Sequence, residues 1–162
     1  MRKIDVDKIG YDDVFQFVVF RIQEKRFAIE IGHVREIIRY QKASPLPQVP
    51  SFIDGVIDLR GEVIPIVDLR KRFNAPVKYE LKTRIMIVKS KSKTIGIVSD
   101  EASEVISINL SNLKPVPSMT KFYNVKYIIG MITYRNNIYY ILEIDALLTE
   151  GEKLSIEKLA IG

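Results

Sequence analysis

Apolar positions along this chain recur mostly at every second residue, in short runs broken by turn-forming residues. Within 26–31, Phe27, Ile29 and Ile31 alternate with Arg26, Ala28 and Glu30, the pattern of a strand with one face buried. The run 15–22 precedes it across Gln23-Glu24-Lys25, which reads as a turn. The same reasoning predicts strand pairs at 56–59 with 62–67, at 85–89 with 94–99, and at 131–134 with 138–144. Their connections (Arg60-Gly61, 90–93 and 135–137) have hairpin length and suitable turn residues. Helical spacing is confined to short pieces at 69–73, 146–148 and 152–160; the last places Ile156, Leu159 and Ala160 on one face.

The pattern also repeats. GVIDLRGEVIPIVDL, 55–69, aligns without a gap to GMITYRNNIYYILEI, 130–144, so that Gly55 meets Gly130, Arg60 meets Arg135 and Asp68 meets Glu143. Upstream, FAIEIGHVREI at 27–37 aligns to IGIVSDEASEV at 95–105, matching Ala28 with Gly96 and Glu36 with Glu104. A proline-bearing connector follows each copy, SPLPQVP at 44–50 and PVP at 115–117. A two-fold repeat gives each half about five strands and no room for the crossover helices of a parallel sheet. Short antiparallel strands of this kind close into small barrels, because closure removes exposed edges. A barrel of ~70 residues is marginal alone, so the two halves are expected to pack together and leave a groove between them.

Composition narrows the function more than the fold. The 162 residues suit one domain, and 47% hydrophobic residues supply its core. The absence of cysteine removes disulfides and thiolate metal sites and fits a cytoplasmic protein. The N-terminus lacks the apolar stretch of a signal peptide, and every apolar run is interrupted well short of the ~20 residues of a membrane helix. No direct membrane insertion is expected. A net charge of +5 arises from 25 basic and 20 acidic residues that are well mixed, with one dense cluster at Arg70-Lys71-Arg72.

Candidate chemistry is sparse. His33 is the sole histidine, which removes paired-histidine metal sites and leaves a catalytic triad only one possible base; it is expected to be solvated or locally bonded. There is no Walker or GxGxxG motif, and the lysines around 90–94 lack the glycines that let backbone N–H groups approach phosphate. Asp58, Glu62 and Asp68 are strand-end acids expected to be solvated. No cofactor or metal is implied. Arg60 stands out at a hairpin tip beside Gly61, either as an exposed turn charge or as an interface anchor. Pro65, which cannot donate to a ladder, is expected to mark an edge or a bulge.

At these residues a resemblance enters. LPQVPSFIDGVIDLRGEVIPIVDLRKRF, 46–73, closely resembles the signature of the CheW family of chemotaxis coupling proteins. FVVFRIQEKRFAIEIGHVREII resembles the family's first hairpin and acidic motif, and TIGIVSDEASEVISI and YIIGMITYRNNIYYILEIDALL resemble its second half. The resemblance implies an all-β fold of two intertwined SH3-like five-stranded barrel subdomains over 15–148, between a tail at 1–14 and a helical tail at 149–162. It implies a non-catalytic adaptor joining the cytoplasmic tip of methyl-accepting receptors to the regulatory domain of the histidine kinase CheA, placed at membrane arrays through these partners. Receptor contacts are then expected at Ile31, Val34, Glu36, Arg60, Gly96, Ser99, Ala102 and Val105, and kinase contacts near Ser44, Leu46, Lys114 and Met119. Asp68 is expected to cap the helix near Leu69.

The rival class is a small nucleic-acid-binding barrel, using the positive charge and aromatics such as Phe20, Tyr134 and Tyr139. Poor clustering of the basic residues disfavours it, and no nucleic-acid partner is expected.

Overall fold

A computed structural model describes residues 14–90, 93–120 and 125–147. The expected helix at 152–160 and nearly all of both tails lie outside the described residues. Ten strands run in the order β1 (Val14–Ile22), β2 (Lys25–Glu30), β3 (Val34–Arg39), β4 (Ile53–Leu59), β5 (Glu62–Asp68), β6 (Arg84–Ser90), β7 (Lys93–Ser99), β8 (Glu101–Asn109), β9 (Ile128–Tyr134) and β10 (Asn137–Leu142). Single helical turns α1 (Leu69–Arg72) and α2 (Ile144–Leu147) follow β5 and β10. All four expected hairpins form. Strands β3 and β8 escaped the alternation reading because each pairs with only one neighbour and mixes charged or polar residues among its aliphatics, as sheet edges do.

The strands assemble into two five-stranded sheets, β8-β1-β2-β10-β9 and β3-β6-β7-β5-β4. Adding five, cyclically over ten, to every strand number of the first list gives the second, so the sequence repeat is a structural one. The sheets, however, are not the two halves of the chain. Each half donates its first hairpin to the other half's sheet: β1–β2 lies beside β8 and β10, and β6–β7 lies beside β3 and β5. The exchange makes the only two parallel ladders among the described strands, β10 with β2 and β5 with β7. There Ile141 faces Ala28 and Ile66 faces Gly96, the same pairing in both copies.

Exchanged hairpins are buried on both faces, which explains their dense apolar content. Even-numbered Val18, Phe20 and Ile22 of β1, with Met86 and Val88 of β6, enter one large cluster shared by both sheets, where Phe27 stacks on Phe20 and on Phe73. Odd-numbered Phe15, Phe17 and Val19 fill the interior of one sheet, and Ile85 and Ile87 that of the other. The face between the sheets, expected to leave a groove, is therefore packed along these strands.

Each sheet also curls until its edges meet. Ser44, just beyond edge strand β3, exchanges backbone hydrogen bonds of 2.8 and 3.0 Å with Val56 of the other edge strand, β4. Lys114, beyond β8, does the same with Met131 of β9 at 2.9 and 2.8 Å. Gly55 and Gly130 permit this closure: a Cβ on Gly55 would lie 1.9 Å from the Ser44 carbonyl oxygen, and one on Gly130 2.7 Å from that of Lys114. The closure also accounts for Pro65. Because Val56 spends both backbone groups on Ser44, its partner Pro65 occupies a non-hydrogen-bonded position toward β4, and the β7 ladder begins only at Ile66. Pro65 is thus a buried residue of an interior strand, not an edge or bulge marker.

Candidate functional site

Arg60 and Gly61 form the two-residue tip of the β4–β5 hairpin, with φ of +52° and +86°. Both values are left-handed, as a type I′ turn requires, and Asn or Gly is the usual choice at the first position. An arginine there spends conformational energy that a better turn residue would save. Gly61 N–H donates to Asp58 Oδ1 at 2.9 Å, fixing the turn. The Arg60 side chain, 64% exposed, reaches across the closure seam and donates from Nη2 to Glu36 Oε2 at 2.5 Å. Arg35 extends the array, with its Nη1 2.8 Å from Glu62 Oε2 and its Nε 3.8 Å from Glu36 Oε2. The hydrogen bond from Arg60 holds the Glu36 carboxyl below the usual glutamate range, opposed by desolvation and assisted by the nearby charges of Arg60 and Arg35. Half-buried Val34 begins edge strand β3, which also carries Glu36, and the exposed Ile31 lies in the single helical turn just before it. Acids, arginines and aliphatics thus share one rim.

The other expected receptor-facing residues divide by burial. Val105 is exposed on β8. Gly96 belongs to the interior of its sheet, where a Cβ would meet Ile66 and Ile85 side chains at 2.6 and 2.8 Å. Ser99 is fully buried, its Oγ 3.4 Å from the Glu101 carbonyl oxygen, and Ala102 sits in the shared core. In the isolated chain these three support the surface from beneath and offer no side chain to a partner. Ser44 and Lys114 mark the two closure seams; Leu46 is half-buried beside the first, and Met119 is almost wholly exposed beyond the second.

Several simpler expectations need correction. His33 is buried, and its Nδ1 lies 3.0 Å from the Lys89 carbonyl oxygen, so it is neither solvated nor bonded within its own turn. Asp68 does cap α1, accepting from Arg70 N–H at 3.0 Å, yet it is wholly buried and paired with an equally buried Arg70 through two further bonds of 2.9 Å. A charged pair two residues apart gave no periodic signal in the sequence. Phe20 and Tyr139, named as base-stacking candidates, are core residues with no exposed face. Among the described residues no cluster of three His, Asp or Glu side chains is placed to hold a metal, and no helix is long and apolar enough to cross a membrane.

A family model for the CheW-like domain matches residues 16–152. Chemotaxis protein CheW of Bacillus subtilis is 34% identical over 142 residues, spanning 86% of this chain and 90% of its own. The Klebsiella aerogenes protein of the same name is 29% identical over 157 residues, 96% and 95% of the two chains. The crystal structure of the scaffolding protein TtCheW from Thermoanaerobacter tengcongensis superposes with a TM-score of 0.77 at 27% identity, covering 88% of this chain and 93% of that one.

Proposed function

The chain belongs to the CheW-like family of chemotaxis scaffolding proteins, and from that premise we propose that it couples methyl-accepting receptors to the histidine kinase CheA. The Glu36–Arg60 pair carries this reading. It lies on an exposed rim, it spends a left-handed backbone on an arginine, and exposed ion pairs add little to folding. Arg135, the matching arginine of the other sheet, has the same backbone conformation but makes no ion pair with Glu104, so it is the exposed pair, not the turn, that points to binding. Receptor contact uses Glu36 and Arg60 with Ile31, Val34 and Val105 as its apolar component. Kinase contact uses the two closure seams, at Ser44 with Leu46 and at Lys114 with Met119. Seams of matching construction on the two sheets suit a bivalent scaffold, in which each sheet meets a different neighbour.

Pull-down against a receptor signalling fragment and against CheA from the same source tests the division. Arg60→Ala is expected to weaken receptor capture by roughly tenfold or more while CheA capture persists. Leu46→Asp is expected to do the reverse. Equal loss of both partners by both variants would overturn the assignment of separate surfaces.

A further inference from the structure

The connector between α1 and β6, residues 73–83, carries no regular structure, yet side chains tie it down at several points. Arg70, with no exposed surface, donates from Nη1 to the Lys78 carbonyl oxygen at 2.6 Å and lies 5.0 Å from the centre of the Tyr79 ring. Its other contacts are Asp68 and Asp100, the latter 3.1 Å away. Tyr79 in turn packs on Tyr40 with ring centres 4.5 Å apart. Thr83 Oγ1 accepts from Glu80 N–H at 2.9 Å, and Arg84 Nη1 donates to the Leu81 carbonyl oxygen at 2.6 Å. What this framework displays is apolar: Leu81 is 96% exposed and Tyr79 52%.

Beside them Tyr40, Tyr79, Leu81 and Thr83 line a groove of about 740 Å³, together with Glu80 and with Arg39 and Arg84. Lys78 and Lys82 stand on the same connector, and the one acid there is Glu80. Arg39, Lys78, Lys82 and Arg84 have no acidic partner among the described residues. The two lysines line a separate cavity with Glu24 and Asp100, so the groove itself carries the two arginines against one glutamate. An exposed aliphatic on a pre-organised loop beside that net positive charge matches an apolar anchor with charge steering at its rim.

We infer that this connector is a docking surface for an acidic protein segment that inserts an apolar side chain beside Leu81, separate from the Glu36–Arg60 rim. Nucleic acid fits less well, since Tyr40 and Tyr79 pack on each other and leave no open ring pair for bases, whereas Leu81 gains from contact with an apolar group. The buried Arg70 then has a purpose beyond filling space: it fixes the loop in its displaying conformation, lowering the ordering cost of binding.

Fluorescence anisotropy of the full chain at low salt tests the inference. The probe is a labelled Glu-Glu-Leu-Phe-Glu-Glu peptide, with a Glu-Glu-Ser-Ser-Glu-Glu peptide and an oligothymidylate as comparisons. Saturable binding of the first is expected, at least tenfold weaker for the serine peptide and unaffected by the oligothymidylate. Leu81→Ser, at a site too exposed to disturb folding, is expected to weaken binding about tenfold. Arg39→Gln with Arg84→Gln is expected to flatten the salt dependence. Absence of saturable binding, equal affinity for the serine peptide, displacement by the oligothymidylate, or full affinity in Leu81→Ser would each overturn it.

Discussion

At the tip of the β4–β5 hairpin Arg60 crosses the closure seam to Glu36, whereas at the tip of β9–β10 its counterpart Arg135 lies 5.2 Å from the centre of the Tyr134 ring. The backbones of the two hairpins correspond closely. Strands β4 and β9 share the same sequence of buried and exposed positions, each carries a glycine where the seam closes, and Arg60 and Arg135 adopt φ of +52° and +49°. Edge strands β3 and β8 bring Glu36 and Glu104 to matching places, opposite Ile87 and Val19. Yet no ion pair joins Glu104 to Arg135. The β9 sheet closes without one, so the fold does not need the Glu36–Arg60 bridge. The bridge, present on one copy only, is therefore available for a role other than closure.

The buried Arg70 marks a second difference between the copies, this one in how the fold is anchored. Its counterpart in the second copy is Asp145, which accepts from Ser90 Oγ at the partly buried end of β6. Arg70→Met would leave Asp68 as a buried charge without its partner, and loss of one member of such a pair costs roughly 3–5 kcal/mol. Asp145→Ala removes a single hydrogen bond and is expected to cost about 1 kcal/mol. Urea unfolding of the two variants measures both. Comparable costs would show that the copies are equally dependent on polar anchors, against this account.

The glycines give a smaller contrast. Gly55→Ala meets both a φ of +135° and a backbone oxygen at 1.9 Å, while Gly130→Ala meets a backbone oxygen at 2.7 Å and the Leu113 side chain at 2.8 Å without a positive φ. About 3 kcal/mol is expected for the first and 1–2 kcal/mol for the second, by the same unfolding measurement. A reversed order would mean that the second seam carries more of the fold than the first.

These comparisons also mark how far the sequence alone reaches. Alternation located four hairpins, because strands buried on at least one face repeat with period two. The alignment of Ala28 with Gly96 already held the parallel pairings of the exchanged strands, since both residues oppose an isoleucine of the other half. That the hairpins change sheets is not carried by alternation, which is the same whichever sheet receives the strand; intertwined barrels are implied by the family resemblance alone. At the site, Glu36 and Arg60 were legible through motif and hairpin geometry. The burial of Gly96, Ser99 and Ala102 was not, because it depends on side chains of distant strands.

The least disruptive change concerns protonation. With its carboxyl held low by Arg60, Glu36 contributes stability that is present above the usual glutamate pKa and lost as pH falls through its lowered folded value. Arg60→Ala is expected to return the Glu36 carboxyl toward the usual range and to remove that part of the acid-side decline. NMR titration of the Glu36 side chain reads the shift. An unchanged titration would show that Arg60 does not engage Glu36 in solution, and the unfolding midpoint at neutral pH is expected to stay nearly constant because the pair is exposed.

Kinase activation in a reconstituted mixture of this chain, CheA and a receptor signalling fragment tests the central claim most directly. The variants to compare are Arg60→Ala and Arg135→Ala, two arginines in the same turn conformation on the two copies of one hairpin. The account predicts that Arg60→Ala folds normally but activates the kinase poorly, whereas Arg135→Ala activates it like the unaltered chain. Normal activation by Arg60→Ala, or equal loss in both, would contradict it.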